Sequence, residues 1–496
     1  MKKMNCYGID LGTTNSCVTI INNDGKPEIV KNANGQDLTP SVVCYPQGKD
    51  SVIVGQAAKN GRLFREKTTV SWIKREIGKE FGAQTPFPRN LTPVQISADI
   101  LKKLVADANQ QTHQEIKDVV ITVPAYFNEP ECRQTLEAGK LAGLNVLKLV
   151  KEPTAAAVAQ GLKWQTTTEK YLLVLDLGGG TFDLTLLKVK ERNFTVLLTD
   201  GERCLGGHDW DMVFAQELVK RHSQRNQSGK KLDFNDRLLK ISFLKIAEEA
   251  KEQLSEAEEW EVFTEWEGIG IAHTITRDEF ESLTKPLVDR VFTRVKKVLD
   301  LARSKFRLNV ADIDFYLVGG STKMPCIRRE LENILSKYYS CPNPKIYASD
   351  VDFCVAKGAA ILADEIINET NNIHFTDVTS KSYGFYCHSK EKDKYIVANI
   401  IKANTSLPAH GEESFATMVD NQKQIRIQIY ESTSMTDEIS PNEARLISSN
   451  YYLNIVGNHP KETEFTVSFD LDENGILNFH CSAIGGLPVD GQVQTD

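Results

Sequence analysis

The sequence predicts a duplicated α/β domain followed by an all-β sandwich. Three observations carry this. An apolar strand ending in Asp-Leu-Gly and then small residues occurs twice, as Asp10-Leu11-Gly12-Thr13-Thr14 and as Asp176-Leu177-Gly178-Gly179-Gly180-Thr181. A second β-prone run follows each, at 17–21 and at 184–189, so that strand, glycine turn and strand form a repeated unit. Helix and strand signals alternate up to about residue 367. Beyond the polar stretch 369–381 the helical period is lost and strictly alternating strands take over.

Within the first part, residues 119–123 read as a buried strand stopped by Pro124, and 130–141 as a helix with Gly143 at its end. Residues 238–254 read as a helix with a charged face, and 280–306 as a long amphipathic helix with apolar residues about four apart. A strand into Val318-Gly319-Gly320-Ser321-Thr322-Lys323, with Pro325 opening a helix, forms a third glycine corner. In the last part, residues 395–397, 425–429, 465–469 and 476–479 read as strands, with a turn at Asp472-Glu473-Asn474-Gly475.

With 496 residues, the chain exceeds one ordinary domain. Its composition, 41% hydrophobic and 25% charged, is that of a globular protein. A formal net charge of −8 argues against a nucleic-acid partner, which calls for a basic face. No run approaches the roughly 20 apolar residues of a membrane helix. The opening Met1-Lys2-Lys3-Met4-Asn5-Cys6 runs straight into the first strand, so no signal peptide is expected. The ten cysteines show no C-x-x-C pair and no clusters of histidines beside them, which points to free thiols in a reducing cytoplasm.

A glycine turn brings backbone N–H groups against phosphate oxygens without side-chain obstruction. An aspartate at each strand end can hold a hydrated magnesium ion. Two such turns facing each other would clamp a nucleoside triphosphate. There is no G-x-x-x-x-G-K-[ST], so the site is not a P-loop. Read alone, either turn is simply a turn, and the third corner is either a flat-ligand contact or a tight strand–helix junction.

Five motifs then fall in order: Ile9-Asp10-Leu11-Gly12-Thr13-Thr14-Asn15-Ser16, Glu152-Pro153-Thr154-Ala155-Ala156-Ala157, Asp176-Leu177-Gly178-Gly179-Gly180-Thr181-Phe182-Asp183, Leu205-Gly206-Gly207 and Val318-Gly319-Gly320-Ser321-Thr322. In these the chain resembles Hsp70-type molecular chaperones over nearly its whole length. The compact segment 255–276 is similar to the smaller HscC-like branch. The resemblance implies a two-lobed actin-like (sugar-kinase/Hsp70) ATPase domain at 1–368, a linker at 369–377 and a peptide-binding β-sandwich at 378–496. It also implies that Lys74, Glu152, Asp176, Thr181, Asp183 and Asp10 form the catalytic cluster, with Asp10 and Asp176 holding magnesium through water. Gly12, Thr13, Thr14, Gly178, Gly179 and Gly180 would receive the phosphates. Gly206, Gly207, Glu248, Lys251, Ser255, Gly319, Gly320, Ser321, Lys323 and Asp352 would border the nucleoside. ATP or ADP and Mg2+ are the implied cofactors, with K+ a further candidate.

The same resemblance makes Pro124, Arg133 and Asp377 the residues that couple the domains. It makes Phe385, Phe415, Met418, Ile425 and Ile427 a peptide groove, although alternating Ile425 and Ile427 would be ordinary core in any sandwich. Unfolded or extended polypeptides, a J-domain co-chaperone and a nucleotide-exchange factor are the implied partners.

The departures are as informative. Glu252 stands where family members carry an arginine that stacks on adenine, so weaker nucleotide binding is expected. Lys323 replaces the other adenine-side arginine, and His208 stands where glutamate is usual. Ile373-His374-Phe375-Thr376-Asp377 replaces a leucine run, so weaker linker docking is expected. Lys151 replaces a neutral residue near the J-protein face. The helical lid of the family has no counterpart here, which implies fast peptide exchange. Two other readings of the same residues are a non-hydrolysing scaffold and a sugar-kinase-like phosphotransferase.

Overall fold

The computed structural model describes residues 7–493 apart from 80, 83, 128, 162–167, 226–231, 370–372, 474 and 485. The expected start at Cys6, Asn474 of the expected turn and three linker residues lie outside the described residues.

The repeated unit seen in sequence is repeated in topology. Strand β1 (Tyr7–Asp10) pairs antiparallel with β2 (Asn15–Ile21) across the first glycine turn, with Asp10 opposite Cys17. β3 (Pro27–Val30) extends the meander. After helix α1 (Pro93–Thr112), β4 (Asp118–Val123) returns parallel to β1. Helix α2 (Glu129–Leu141) leads to β5 (Asn145–Lys151), which lies parallel to β4. The order is β3-β2-β1-β4-β5, with Thr39–Pro40 added beside β2.

Helix α3 (Glu152–Gly161) then leads to β6 (Lys170–Leu177), β7 (Phe182–Lys190) and β8 (Asn193–Glu202), a second antiparallel meander. Helices α4 (Gly207–Arg225) and α5 (Arg237–Glu256), the hairpin β9 (Glu259–Trp266) and β10 (Ile269–Thr276), and helix α6 (Arg277–Phe306) follow. β11 (Ile313–Val318) returns parallel to β6. Helix α7 (Pro325–Tyr339), β12 (Ile346–Tyr347) and helix α8 (Cys354–Ile367) close the unit. Outward from its edge the order is β8-β7-β6-β11-β12, the same path as in the first sheet.

Both faces of the second sheet are covered, which explains the unbroken apolar run in β6. Leu173 and Leu175 face one buried cluster with Trp210, Phe214 and Phe243, while Leu172 and Val174 face another with Ala155, Val355 and Ala359. Three helices open on side-chain caps: Thr92 with Gln95 on α1, Asp236 on α5 and Thr276 on α6. Beneath the hairpin β9–β10, Thr264 Oγ1 lies 2.7 Å from His222 Nδ1 and 3.1 Å from His273 Nε2, all three buried.

Part of the expected linker is a regular strand. His374–Thr376 forms strand β13, parallel to the edge of β8, with Phe375 opposite Phe194. The two rings stack at 5.6 Å and 27°. Phe194 already sits in the core and offers one apolar seat, so a single aromatic residue anchors the strand without a leucine run.

The sandwich follows. β14 (Ser382–Ser389), β15 (Lys394–Ile401), β16 (Ala409–Ala416), β17 (Gln424–Ser432), β18 (Glu438–Ile439), β19 (Arg445–Asn454), β20 (Glu464–Leu471), β21 (Leu477–Ala483) and β22 (Val489–Gln492) make two sheets, ordered β18-β15-β14-β17-β19 and β16-β20-β21-β22. The sandwich sits against the second sheet: Thr199 N donates to Asn404 Oδ1 at 2.7 Å. Among the described residues no helix is long and apolar enough to cross a membrane. The described cysteines form no disulfide with one another.

Candidate functional site

The two glycine turns meet. A Cβ on Gly179 would overlap Thr14 Oγ1, and one on Gly180 would overlap the Thr13 side chain, so only glycine permits this approach. The first turn is braced by Ser16 Oγ, which accepts from Gly12 N at 3.1 Å, and by Ser41 Oγ, which donates to Gly12 O at 2.8 Å. Gly207 N and Ser321 Oγ donate to Gly178 O at 3.0 and 2.9 Å, and His208 N donates to Gly179 O at 2.8 Å. Gly206-Gly207 and the third corner thus buttress the second turn. At that corner Gly319 has φ +84, which aligns the chain beside Asp176.

Between the turns lies a cavity of about 670 Å³. It gathers Asp10, Gly12, Thr13, Thr14, Lys74, Glu152, Asp176, Gly178, Gly179, Thr181, Glu248, Lys251, Ser255, Gly319, Gly320, Ser321, Lys323 and Asp352. Gly180, Gly206, Gly207 and Asp183 stand behind this lining.

At the inner end Lys74, only 6% exposed, forms an ion pair with Glu152. Thr122 Oγ1 donates to Asp10 Oδ1 at 2.9 Å, and Tyr126 N donates to Asp183 Oδ1 at 3.2 Å. Burial, reinforced by Glu152, pushes the Asp10 carboxyl up to about 6 against the pull of Lys74 and Thr122. The same two causes push Asp183 to about 8, and burial with Glu152, Asp183 and Asp10 raises Asp176 well above the usual range. For Lys74, burial works against the charged form, but Glu152 and Asp10 more than reverse it and the ammonium is held charged. One lysine cannot neutralise four buried carboxyls. Asp183 Oδ2 is moreover buried without a hydrogen-bond partner. This donor set, all oxygen and short of positive charge, fits a hydrated divalent cation.

At the outer end Lys323 pairs with Asp352 at 2.6 Å, so the expected base-side and ribose-side residues are joined. Lys251 pairs with Asp211 at 2.7 Å and donates to Gly207 O at 3.2 Å. Glu248 pairs with Lys59 at 3.0 Å across the cavity mouth. Glu252 lines this end with Glu248 as its neighbouring charge; burial and that neighbour raise its carboxyl.

Several lining residues escaped the sequence reading: Lys59, Arg62, Trp72 and Asp211. Arg75, next to Lys74, donates to Gly180 O and pairs with Asp209 at 2.5 Å. Trp72 and Arg75 could have been suspected as neighbours of Lys74. Lys59 and Arg62 carry no periodic signal. His208, noted as a departure, stacks on Trp72 with ring centroids 3.9 Å apart. Burial, with Arg75 nearby, lowers its imidazole to about 4.

Pro124 is buried after β4, and Phe127 N donates to its carbonyl at 3.1 Å. Arg133 lies half-buried on α2. Lys151 and Lys148 act on Asp377, and they only partly offset the upward push of burial on its carboxyl. Lys151 Nζ donates to Phe127 O at 2.7 Å.

The expected peptide groove is divided. Phe385, Ile425 and Ile427 are buried in the sandwich core, because their alternation faces the opposite sheet. Phe415 is half-buried, its ring 4.8 Å from Phe385, and Met418 is 47% exposed.

Sequence comparisons agree with this architecture. The Hsp70 protein family profile matches residues 6–88 and 82–485. The chaperone protein dnaK of Phaeodactylum tricornutum is 36% identical over 95% of this chain and 78% of its own length. Those of Cyanidioschyzon merolae and Thalassiosira pseudonana are 34% and 35% identical, over 95% of this chain and 78% and 79% of theirs. The chain belongs to the Hsp70 family. Within it, the protein is an Hsp70-like molecular chaperone.

Proposed function

We propose that the chain hydrolyses ATP between two lobes built on the two like sheets, and passes the nucleotide state to a sandwich that holds extended polypeptide. The observation that supports this most is the convergence of Lys74, Glu152, Asp10 and Asp176 on one cavity between two abutting glycine turns, with Asp183 behind them.

The turns and the hydroxyls of Thr13 and Thr14 receive the β- and γ-phosphates. Asp10 and Asp176 would hold magnesium through water, and the ion would supply charge neutralisation on the phosphate oxygens. The Lys74 ammonium stabilises charge developing on the γ-phosphate, and Glu152 keeps that ammonium aimed inward. Asp183, with one oxygen free of protein partners, accepts from the attacking water; Thr181 flanks the γ-phosphate. Glu248, Lys251 and Ser255 contact ribose and base, Gly319, Gly320 and Ser321 border the nucleoside, Lys323 lies on the base side and Asp352 on the ribose side.

The ATPase domain spans 1–368, the linker 369–377 and the peptide domain 378–496. Strand β13, Pro124 and Asp377, with Lys148 and Lys151, carry the signal between them. Met418 and Phe415 offer apolar contact to a peptide that bonds along a strand edge. A J-domain co-chaperone, a nucleotide-exchange factor and a cytoplasmic setting complete the proposal.

The test is ATP turnover with and without an unfolded peptide, beside Lys74→Ala. Turnover that rises with peptide and is lost in Lys74→Ala is expected. Equal turnover in Lys74→Ala overturns the site assignment, and turnover indifferent to peptide overturns the coupling.

A further inference from the structure

Lys74 sits in a single 3-10 turn, Ile73–Arg75, too short to hold a long side chain by its own hydrogen bonds. Something outside the turn must fix it. On its C-terminal side Arg75 reaches Gly180 O and Asp209, both on the unit of the second sheet. On its N-terminal side stands Trp72, with φ 59 and ψ 27, a left-handed conformation that a bulky aromatic residue rarely adopts. Its indole stacks on the imidazole of His208, also on the unit of the second sheet, at 3.9 Å and 31°. The buried Arg62 guanidinium lies 5.6 Å from the ring centroid, on the unit of the first sheet. His208 N in turn donates to Gly179 O, on the turn that faces Thr14.

We propose that Trp72 is a positioning residue for Lys74, and that its stack on His208 aligns the lysine only when the two lobes close. The backbone strain at Trp72 is held by contacts on both sides of the cleft, from Arg62 and from His208. The lysine turn belongs to the first lobe by chain connection and to the second by its anchors. Opening the cleft removes the His208 face and frees the turn to relax, withdrawing the ammonium. This rests on the reading of Lys74 as the phosphate-facing catalytic group.

Single-turnover ATP hydrolysis and nucleotide affinity should be measured on the full chain for Trp72→Gly, Trp72→Phe and His208→Ala, with Lys74→Ala alongside. Glycine accepts the positive φ and removes only the ring. Trp72→Gly and His208→Ala are expected to slow hydrolysis about ten- to a hundredfold, the scale of a small misplacement, with a smaller loss of nucleotide affinity, since both rings also line the cavity. Trp72→Phe, which keeps a stacking ring, should restore most of the rate. The double variant should lose no more than either single one. Equal losses in rate and affinity, additive losses, or full activity in His208→Ala overturn the proposal. His208→Ala leaves the turn's backbone untouched and decides the matter even where Trp72→Gly fails to fold. If Lys74→Ala hydrolyses normally, the site assignment itself fails. If Lys74→Ala is inactive while Trp72→Gly and His208→Ala are not, only the positioning role fails.

Discussion

Replacing Phe375 by alanine should undock the linker strand. The ring is half-buried, stacked on Phe194, which is itself 1% exposed. A phenylalanine buries roughly 150–250 Å² in full, so about 100 Å² is at stake here, or about 2.5 kcal/mol at ~25 cal/mol per Å². The stack adds about 0.5 kcal/mol. A total of about 3 kcal/mol is close to a hundredfold shift toward the undocked strand. The ladder between His374–Thr376 and the edge of β8 is backbone, so the substitution removes none of its donors or acceptors and takes away only the ring's share of docking. Amide hydrogen exchange followed by mass spectrometry reads this directly. Peptides covering 374–376 and 193–195 should exchange about a hundred times faster in Phe375→Ala, while Phe375→Leu stays within about tenfold. The remainder of β8 should be unchanged. Protection in Phe375→Ala within about threefold of the parent would refute the reasoning: docking would then rest on the ladder and on Asp377, not on the aromatic seat.

Three further outcomes are expected. Glu252→Arg should tighten ATP binding by about three- to thirtyfold, the ~0.5–2 kcal/mol of a guanidinium against a ring face, as read by calorimetry; unchanged affinity would remove Glu252 from the base end. Gly179→Ala should abolish nucleotide binding while the fold persists, because its methyl would occupy the space of Thr14 Oγ1; calorimetry and circular dichroism together check this. The buried pair His222 and His273 should make the protein acid-sensitive. Burial lowers both imidazoles, and for His273, brought to about 4, Arg225 and His222 add to the effect. The unfolded chain then binds the protons more readily. Stability is therefore complete above the ordinary histidine value of 6.5 and falls as pH drops toward about 4. After allowance for solvent screening the effect is about 1–2 kcal/mol, and thermal melts of His273→Asn should lose less on acidification than the parent.

The inner end of the site was legible because its signals are local. Asp10 through Thr14 and Asp176 through Thr181 each fit in one strand–turn unit. A glycine run directly after an apolar strand costs conformational entropy that a close backbone approach makes worthwhile. The outer end was less legible. Lys59 and Glu248 are distant in sequence, and their meeting depends on how α5 lies against the short helix Gln56–Asn60. Nothing in a stretch of sequence encodes such a pair. The contact of Trp72 with His208 was hidden for the same reason. The linker strand was missed because three residues are too few to show alternation and its partner, Phe194, lies on another strand. In the sandwich, alternation at Ile425 and Ile427 gave the inward face correctly, but period alone cannot separate a groove wall from a core.

The linker strand has one more consequence. When β13 leaves, residues 193–195 are left with unpaired N–H and C=O groups on an open edge, which invites a foreign strand to add. A chaperone proposed to hold extended chains would then present, in its undocked state, a second site of the same appetite far from its intended one. The exposed Lys190, Glu191 and Arg192 stand at the head of that edge and are the kind of charged residues that discourage such pairing. The release of the signal and the risk of self-association are thus set by the same three residue pairs, and the strand can be only as short as docking tolerates and only as long as safe exposure allows.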